Sequence, residues 1–382
     1  MTDLDMMAEA SAATGGLTDF GPEDGFRTSL RILLADLEAA ELSQPKREAL
    51  LATWRGRLET RLRLVALRAE RPQIAAQRIT GPLMVTGLPR TGTTALFDVL
   101  AQDPAARAPL TWETMTLGVP AEHGHWNDDP RIAEIEAHLA SLGDPVAEAG
   151  LHTYGAMLPD ECNNIHLFNF WGARYPGEPE AVFLKGASTW INNCMPPRPY
   201  AMHRMILQHL QAHGPSGRWI LKDPYHLTAL GEFLAEYPDA MIVQTHRDPI
   251  AVFPSLAGLY ATIRAQGAGH PRRPETGRYV LERIGVSLKR SLAARLDPAL
   301  SKRICDIGQK QITRQPMETV KAIYDRFGLR LGADAEQRMA RWIANPTQHE
   351  SKTRFTFEEF DITPANVEAV IGPYRDQFGK YF

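Results

Sequence analysis

The stretch Ile79–Leu100, ITGPLMVTGLPRTGTTALFDVL, decides the fold. Leu83–Thr86 is an apolar run of strand length, and a Gly/Pro turn follows it. Arg90-Thr91-Gly92-Thr93-Thr94 then leads into a helical pattern carrying Leu96, Phe97 and Leu100. A strand, a glycine loop and a helix start aim several backbone N–H groups and a positive dipole end at one point. Such a point holds an anion. Arg90 and the hydroxyls of Thr91, Thr93 and Thr94 add donors suited to phosphate or sulfate.

The spacing departs from a nucleotide P-loop at its key position. Gly87 and Gly92 match the two glycines of G-x-x-x-x-G-K-[ST], but Thr93 stands where the lysine must be. No acidic strand end for Mg²⁺ stands out elsewhere, so an ATPase or kinase is disfavoured. Gly/Thr turns after strands also arise without ligands, and the reading therefore needs support from other segments.

That support comes from two further runs of strand length, 218–222 (RWILK) and 240–245 (AMIVQT). Each is followed by a turn and a helical pattern, which implies a parallel sheet. Ligands of such sheets collect at the carboxyl ends of the strands, and all three ends carry a cation: Arg90, Lys222 and Arg247. The expected fold is α/β, a P-loop-like parallel sheet flanked by helices, with an N-terminal helical extension and a helical insertion.

Residues 1–22, rich in Ala, Gly and Asp, read as disordered. Residues 23–78 read as a helical arm of two helices, 26–42 and 46–70, divided by Ser43-Gln44-Pro45. The second carries Leu50, Leu51, Trp54, Leu58, Leu62 and Val65 at helical spacing. This arm is either a lid or homodimer contact, or a packing extension. Residues 79–382 form the main domain. Its insertion, about 115–215, holds Trp126, Tyr154, Phe168, Phe170, Trp171, Tyr175 and Trp190, which serve either a core or a pocket. Met317–Phe327 and Asp334–Ala344 read as amphipathic helices.

Composition excludes several classes. Of 382 residues, 42 are Lys or Arg and 45 Asp or Glu, for a net charge of −3. No global basic field of a nucleic-acid binder exists. The N-terminus lacks a basic region followed by an apolar core, and no run approaches the roughly 20 apolar residues of a membrane span. Cys162, Cys194 and Cys305 show no metal-like spacing. A cytoplasmic enzyme with reduced cysteines and no metal is expected.

Leu88–Thr94, L-P-R-T-G-T-T, resembles the 5′-phosphosulfate loop of sulfotransferases that use 3′-phosphoadenosine 5′-phosphosulfate (PAPS). Val243–Ser255, VQTHRDPIAVFPS, is similar to their 3′-phosphate clamp, with Arg247 at the strand end and Ser255 eight residues on. Leu221–His226 resembles L-K-S-P-x-H, with Asp223 as the departure. The resemblance spans roughly 81–360. It implies that Arg90, Thr91, Gly92, Thr93 and Thr94 hold the phosphosulfate, and that Arg247 and Ser255 hold the 3′-phosphate. Lys352 and Arg354 match basic positions of a C-terminal segment reaching the same phosphate. Lys222 would neutralise the transferring group. Glu113, 23 residues beyond Arg90, is the candidate general base and His226 the second. The aromatic insertion suggests a small lipophilic or aromatic alcohol or phenol as acceptor. Two features depart from the family: Ala95 replaces a tryptophan that stacks on adenine, and Ile304–Gln309 replaces a V-x-Y-x-D-L strand. A nucleotide-binding protein of this fold without transferase activity, and an ATP-dependent phosphotransferase, stay open alternatives.

Overall fold

Strict alternation along the strands builds two apolar layers around one sheet. The computed structural model describes residues 1–40, 42–120, 126–142, 155–171, 186, 189, 193–345 and 354–382. Five strands, β1 (Leu83–Gly87), β2 (Ala106–Arg107), β3 (Arg218–Lys222), β4 (Met241–His246) and β5 (Ile304–Gly308), form one sheet in the order β2-β3-β1-β4-β5. Every pairing in it is parallel. All of β1 is buried, as a strand covered on both faces requires. Leu83 and Val85 point to a core shared with Ile220, Val243, Leu96, Phe97 and Ile323. Met84 points to the other, with Leu221, Ile242, Ile206, Leu207 and Phe233. A third cluster joins helices Pro249–Ala268, Arg273–Ala294 and Pro364–Phe378 through Val252, Phe253, Ile284, Leu288 and Ile371.

The strand order puts β1 in the middle, with β3 on one side and β4 on the other. The chain leaves β1 toward the β2 edge and later crosses over to β4. The carboxyl end of β1 is therefore the switch point at which α/β sheets open a crevice. The three cation-bearing strand ends expected from the sequence belong to three adjacent strands.

The N-terminus corrects the sequence reading. Residues 1–22 are not a disordered lead: α1 (Asp3–Ala13) begins with a capping box between Thr2 and Asp5. Met6, Met7 and Ala10 are buried in a cluster with Phe26, Leu30, Leu50, Trp54 and Leu58. Those three residues form a short stripe at helical spacing, too small to register as a periodic pattern but wide enough to fill a groove. The arm thus starts at α1 and continues as α2 (Phe26–Ala39) and α3 (Gln44–Glu70). The apolar face of α3 is filled by the chain's own residues, so the packing reading of that face holds. Phe170 joins this arm cluster, and Phe168 and Trp171 join the sheet core. Tyr154, Tyr175 and Trp190 lie outside the described residues.

A buried ion pair fastens the arm. Arg61, fully buried, donates to Asp24 Oδ2 at 3.0 Å, to the carbonyls of Phe20 (2.9 Å) and Pro22 (3.1 Å), and to Phe168 O at 2.9 Å. Its guanidinium also lies 4.0 Å over the Phe26 ring. Burial holds Asp24 above the usual carboxylate value even with Arg61 alongside. Removing the cation would leave a buried carboxylate and three carbonyls unmatched. Arg61→Ala is expected to lower unfolding stability by about 3–5 kcal/mol, measured by urea denaturation. A loss below about 1 kcal/mol would mean that the arm is held by its apolar contacts alone.

Candidate active site

Backbone contact with β4 shapes the loop after β1. Gly87 pairs with Thr245 and has φ +152°, and a Cβ there would lie 2.4 Å from Thr245 Oγ1. The buried Thr91 hydroxyl donates to Leu88 O at 2.7 Å and bonds Thr245 Oγ1 at 2.6 Å. It therefore braces the loop from within. Thr93 is buried and Thr94 half-buried. Arg90 and Gly92 take left-handed conformations, φ 70° and 88°, and Gly92 caps the helix Thr93–Leu100 (α4). The first N–H groups of α4 have no partner within the helix and lie at the turn that carries Arg90.

Two guanidinium groups meet at this turn. Arg90 Nε donates to Ser255 Oγ at 3.1 Å, and Arg247 donates to Arg90 O at 3.1 Å. Burial first, and the charge of Arg247 second, draw Arg90 below the usual guanidinium value. Arg247 follows β4 directly. Asp248 beside it caps the next helix by accepting from Ile250 N at 3.0 Å and receives Arg375 at 3.2 Å. Two like charges and a hydroxyl at a helix start make a strong anion site.

At the end of β3, Lys222 is 1% exposed and ion-paired with Glu161, whose side chain is 14% exposed. Sequence reasoning missed Glu161: a buried lysine demands a carboxylate, but spacing does not say which of 45 acidic residues supplies it. Asp223, the departure from the resembled motif, caps the following turn by accepting from Tyr225 N at 2.8 Å.

Both candidate bases are otherwise engaged. Glu113 lies in a short helix, Thr111–Met115, after β2, and β2 pairs with β3 and not with β1. Its carboxylate accepts from the Arg107 guanidinium, from Trp126 Nε1 at 2.8 Å and from Leu110 N at 3.0 Å. Arg107 itself reaches back to Leu210 O and Pro215 O, ahead of β3, away from the cation-bearing strand ends. His226 is 1% exposed, bonds Tyr200 OH through Nδ1 at 2.7 Å, and buries its other nitrogen as well. An acceptor hydroxyl has no open route to it. Arg354 is exposed, and Lys352 lies outside the described residues.

The sequence profile of the sulfotransferase family matches residues 82–333, which include all five strands and Arg90, Glu113, Glu161, Lys222, His226, Arg247 and Ser255. The chain belongs to the sulfotransferase family. Two solved structures are similar along nearly the whole length. The sulfotransferase STF1 from Mycobacterium tuberculosis is 26% identical with a TM-score of 0.80, covering 98% of this chain and 99% of that one. The sulfotransferase STF9 from Mycobacterium avium is 25% identical with a TM-score of 0.86, covering 99% and 96%. No curated protein sequence matches. This sulfotransferase thus shares with its structural neighbours the α/β sheet and its flanking helices. Among its described residues no helix is long and apolar enough to cross a membrane.

The environment of Glu113 has a measurable consequence. Glu113→Gln keeps the shape but removes the charge opposite buried Arg107, with an expected stability loss of about 2–4 kcal/mol. Turnover per folded molecule is expected to stay within a few-fold of normal. Unchanged unfolding combined with abolished turnover would return the general-base role to Glu113.

Proposed function

We propose that this sulfotransferase moves a sulfuryl group from PAPS to the hydroxyl of a small lipophilic or aromatic acceptor. The observation that carries the reading is the convergence of Arg90, Arg247 and Ser255 on the start of α4. In this reading the α4 amides and Arg90 bind the 5′-phosphosulfate, with Gly92, Thr93 and Thr94 shaping its cradle and Thr91 bracing it. Arg247 and Ser255 bind the 3′-phosphate, and Ser255 is shared with Arg90.

The reacting centre then falls between the loop and the end of β3. Lys222 is one strand away from the loop, at the level of Val85. Its ammonium is suited to neutralise charge building on the transferring group. As Lys222 turns to the phosphosulfate, Glu161 gives up its partner and gains a free oxygen to accept the acceptor's proton. The acceptor oxygen attacks sulfur in line, the bond from sulfur to the phosphate oxygen breaks, and the phosphate leaves as the nucleoside bisphosphate. Positioning and charge stabilisation supply most of the acceleration, as in phosphoryl transfer.

Beside the loop, Leu88, Pro224, Tyr225, Leu256 and Tyr260, with polar Arg283 and Ser287, line a gap of about 20 Å³, so an acceptor would have to open it. Arg283 stacks 4.5 Å over the Tyr225 ring, and the Tyr225 and Tyr260 hydroxyls bond each other.

The test is transfer of labelled sulfate from PAPS to a panel of phenols and long-chain alcohols. Glu161→Gln is expected to lower kcat by about 10²–10⁴ while nucleotide affinity stays within a few-fold. Near-normal turnover by Glu161→Gln would remove it from the proton transfer. Failure of the unmodified chain to label any member would leave a binding protein of this fold.

A further inference from the structure

Behind the end of β3, three separate elements bring metal-binding side chains together. Cys162 opens the helix Cys162–His166, His203 lies in the first turn of Ala201–His213, and His226 lies in the turn Pro224–Thr228. Their potential ligand atoms lie within 4.8 Å of one another, and all three residues are buried. Residues so far apart in the chain carry no spacing signature, which is why the cysteine pattern suggested no metal. We propose that Cys162, His203 and His226 bind one transition-metal ion of the zinc class.

Orientation supports the assignment. His203 Nδ1 bonds Tyr237 OH at 2.8 Å, and His226 Nδ1 bonds Tyr200 OH at 2.7 Å. Metal-ligating histidines are held this way, with one ring nitrogen fixed by an outer partner. His203 Nε2 is buried without a hydrogen-bond partner among the described residues, a costly state for a nitrogen lone pair unless something occupies it.

The chemistry fits one class of ion. One thiolate and two imidazoles select zinc-like ions over magnesium or calcium. Tetrahedral zinc draws such atoms to about 3.5 Å from each other, so the cluster would close by roughly one ångström. Three protein ligands leave a fourth position, where the His166 ring is adjacent, 5.2 Å from His203 and 5.8 Å from His226. On binding, the Cys162 thiol loses its proton to solvent and the sulfur–metal bond forms. The ion would pin the segment carrying Glu161 to the turn after Lys222, and so fix that pair relative to the loop. This inference does not depend on the identity of the sulfuryl donor.

The full-length chain is to be stripped with chelator, then titrated with Co²⁺ and, separately, Zn²⁺, with bound metal measured after gel filtration. The expected result is one ion per chain, a thiolate-to-cobalt charge-transfer band, and loss of both in Cys162→Ser and His203→Gln. Circular dichroism and a cooperative urea unfolding transition establish that each variant is folded. A folded, unmodified chain that retains no metal would overturn the proposal. So would a folded Cys162→Ser, His203→Gln double variant that binds the ion as the parent does.

Discussion

The site depends on the close approach of the β1 loop to β4. Gly87 sits against the Thr245 backbone and hydroxyl with no room for a side chain, and Thr91 locks the contact through Thr245 and Leu88. With the two strand ends held this close, Arg90 and Arg247 must share one region despite their mutual repulsion. Alone, that arrangement is unfavourable. The proposed donor, a polyanion, would offset that repulsion by lying between them.

Around this point three buried cations are each matched by an acid. Arg61 meets Asp24, Arg107 meets Glu113, and Lys222 meets Glu161. The first two pairs fix the arm and the β2 edge. The third sits beside the switch point and is the one that ligand binding can rearrange. A fourth network closes the far side: Asp306 on β5 accepts from His246 at 2.8 Å and from Arg295. Burial works against its ionisation, but these partners outweigh it and hold Asp306 below the usual carboxylate value. Thus β5 forms without the resembled V-x-Y-x-D-L pattern, its aspartate engaged inside the chain.

The loop and the three cation-bearing strand ends were legible because local chemistry dictates them: glycines at positive φ, a Pro-Arg turn, apolar runs ending in charge. Side-chain destinations were not. Thr91 looked like a ligand donor and is a brace, because its hydroxyl finds Thr245, 154 residues away. Glu113 had the spacing of a base but is claimed by Arg107 and Trp126 through the short β2, whose position at the sheet edge no local pattern encodes. His226 matched its motif and is enclosed by Tyr200. The helix at the N-terminus was hidden for a related reason: its three-residue stripe gains meaning only against α3.

The two-arginine centre is proposed as a site for a nucleoside 3′,5′-bisphosphate rather than a triphosphate. Titration calorimetry with adenosine 3′,5′-bisphosphate and with ATP, each with and without Mg²⁺, tests it directly. The account predicts magnesium-independent binding of the bisphosphate in preference to ATP, weakened about 10- to 100-fold in Arg247→Ala by loss of charge-assisted hydrogen bonds. Preference for ATP with Mg²⁺, or bisphosphate affinity unchanged in Arg247→Ala, would contradict it.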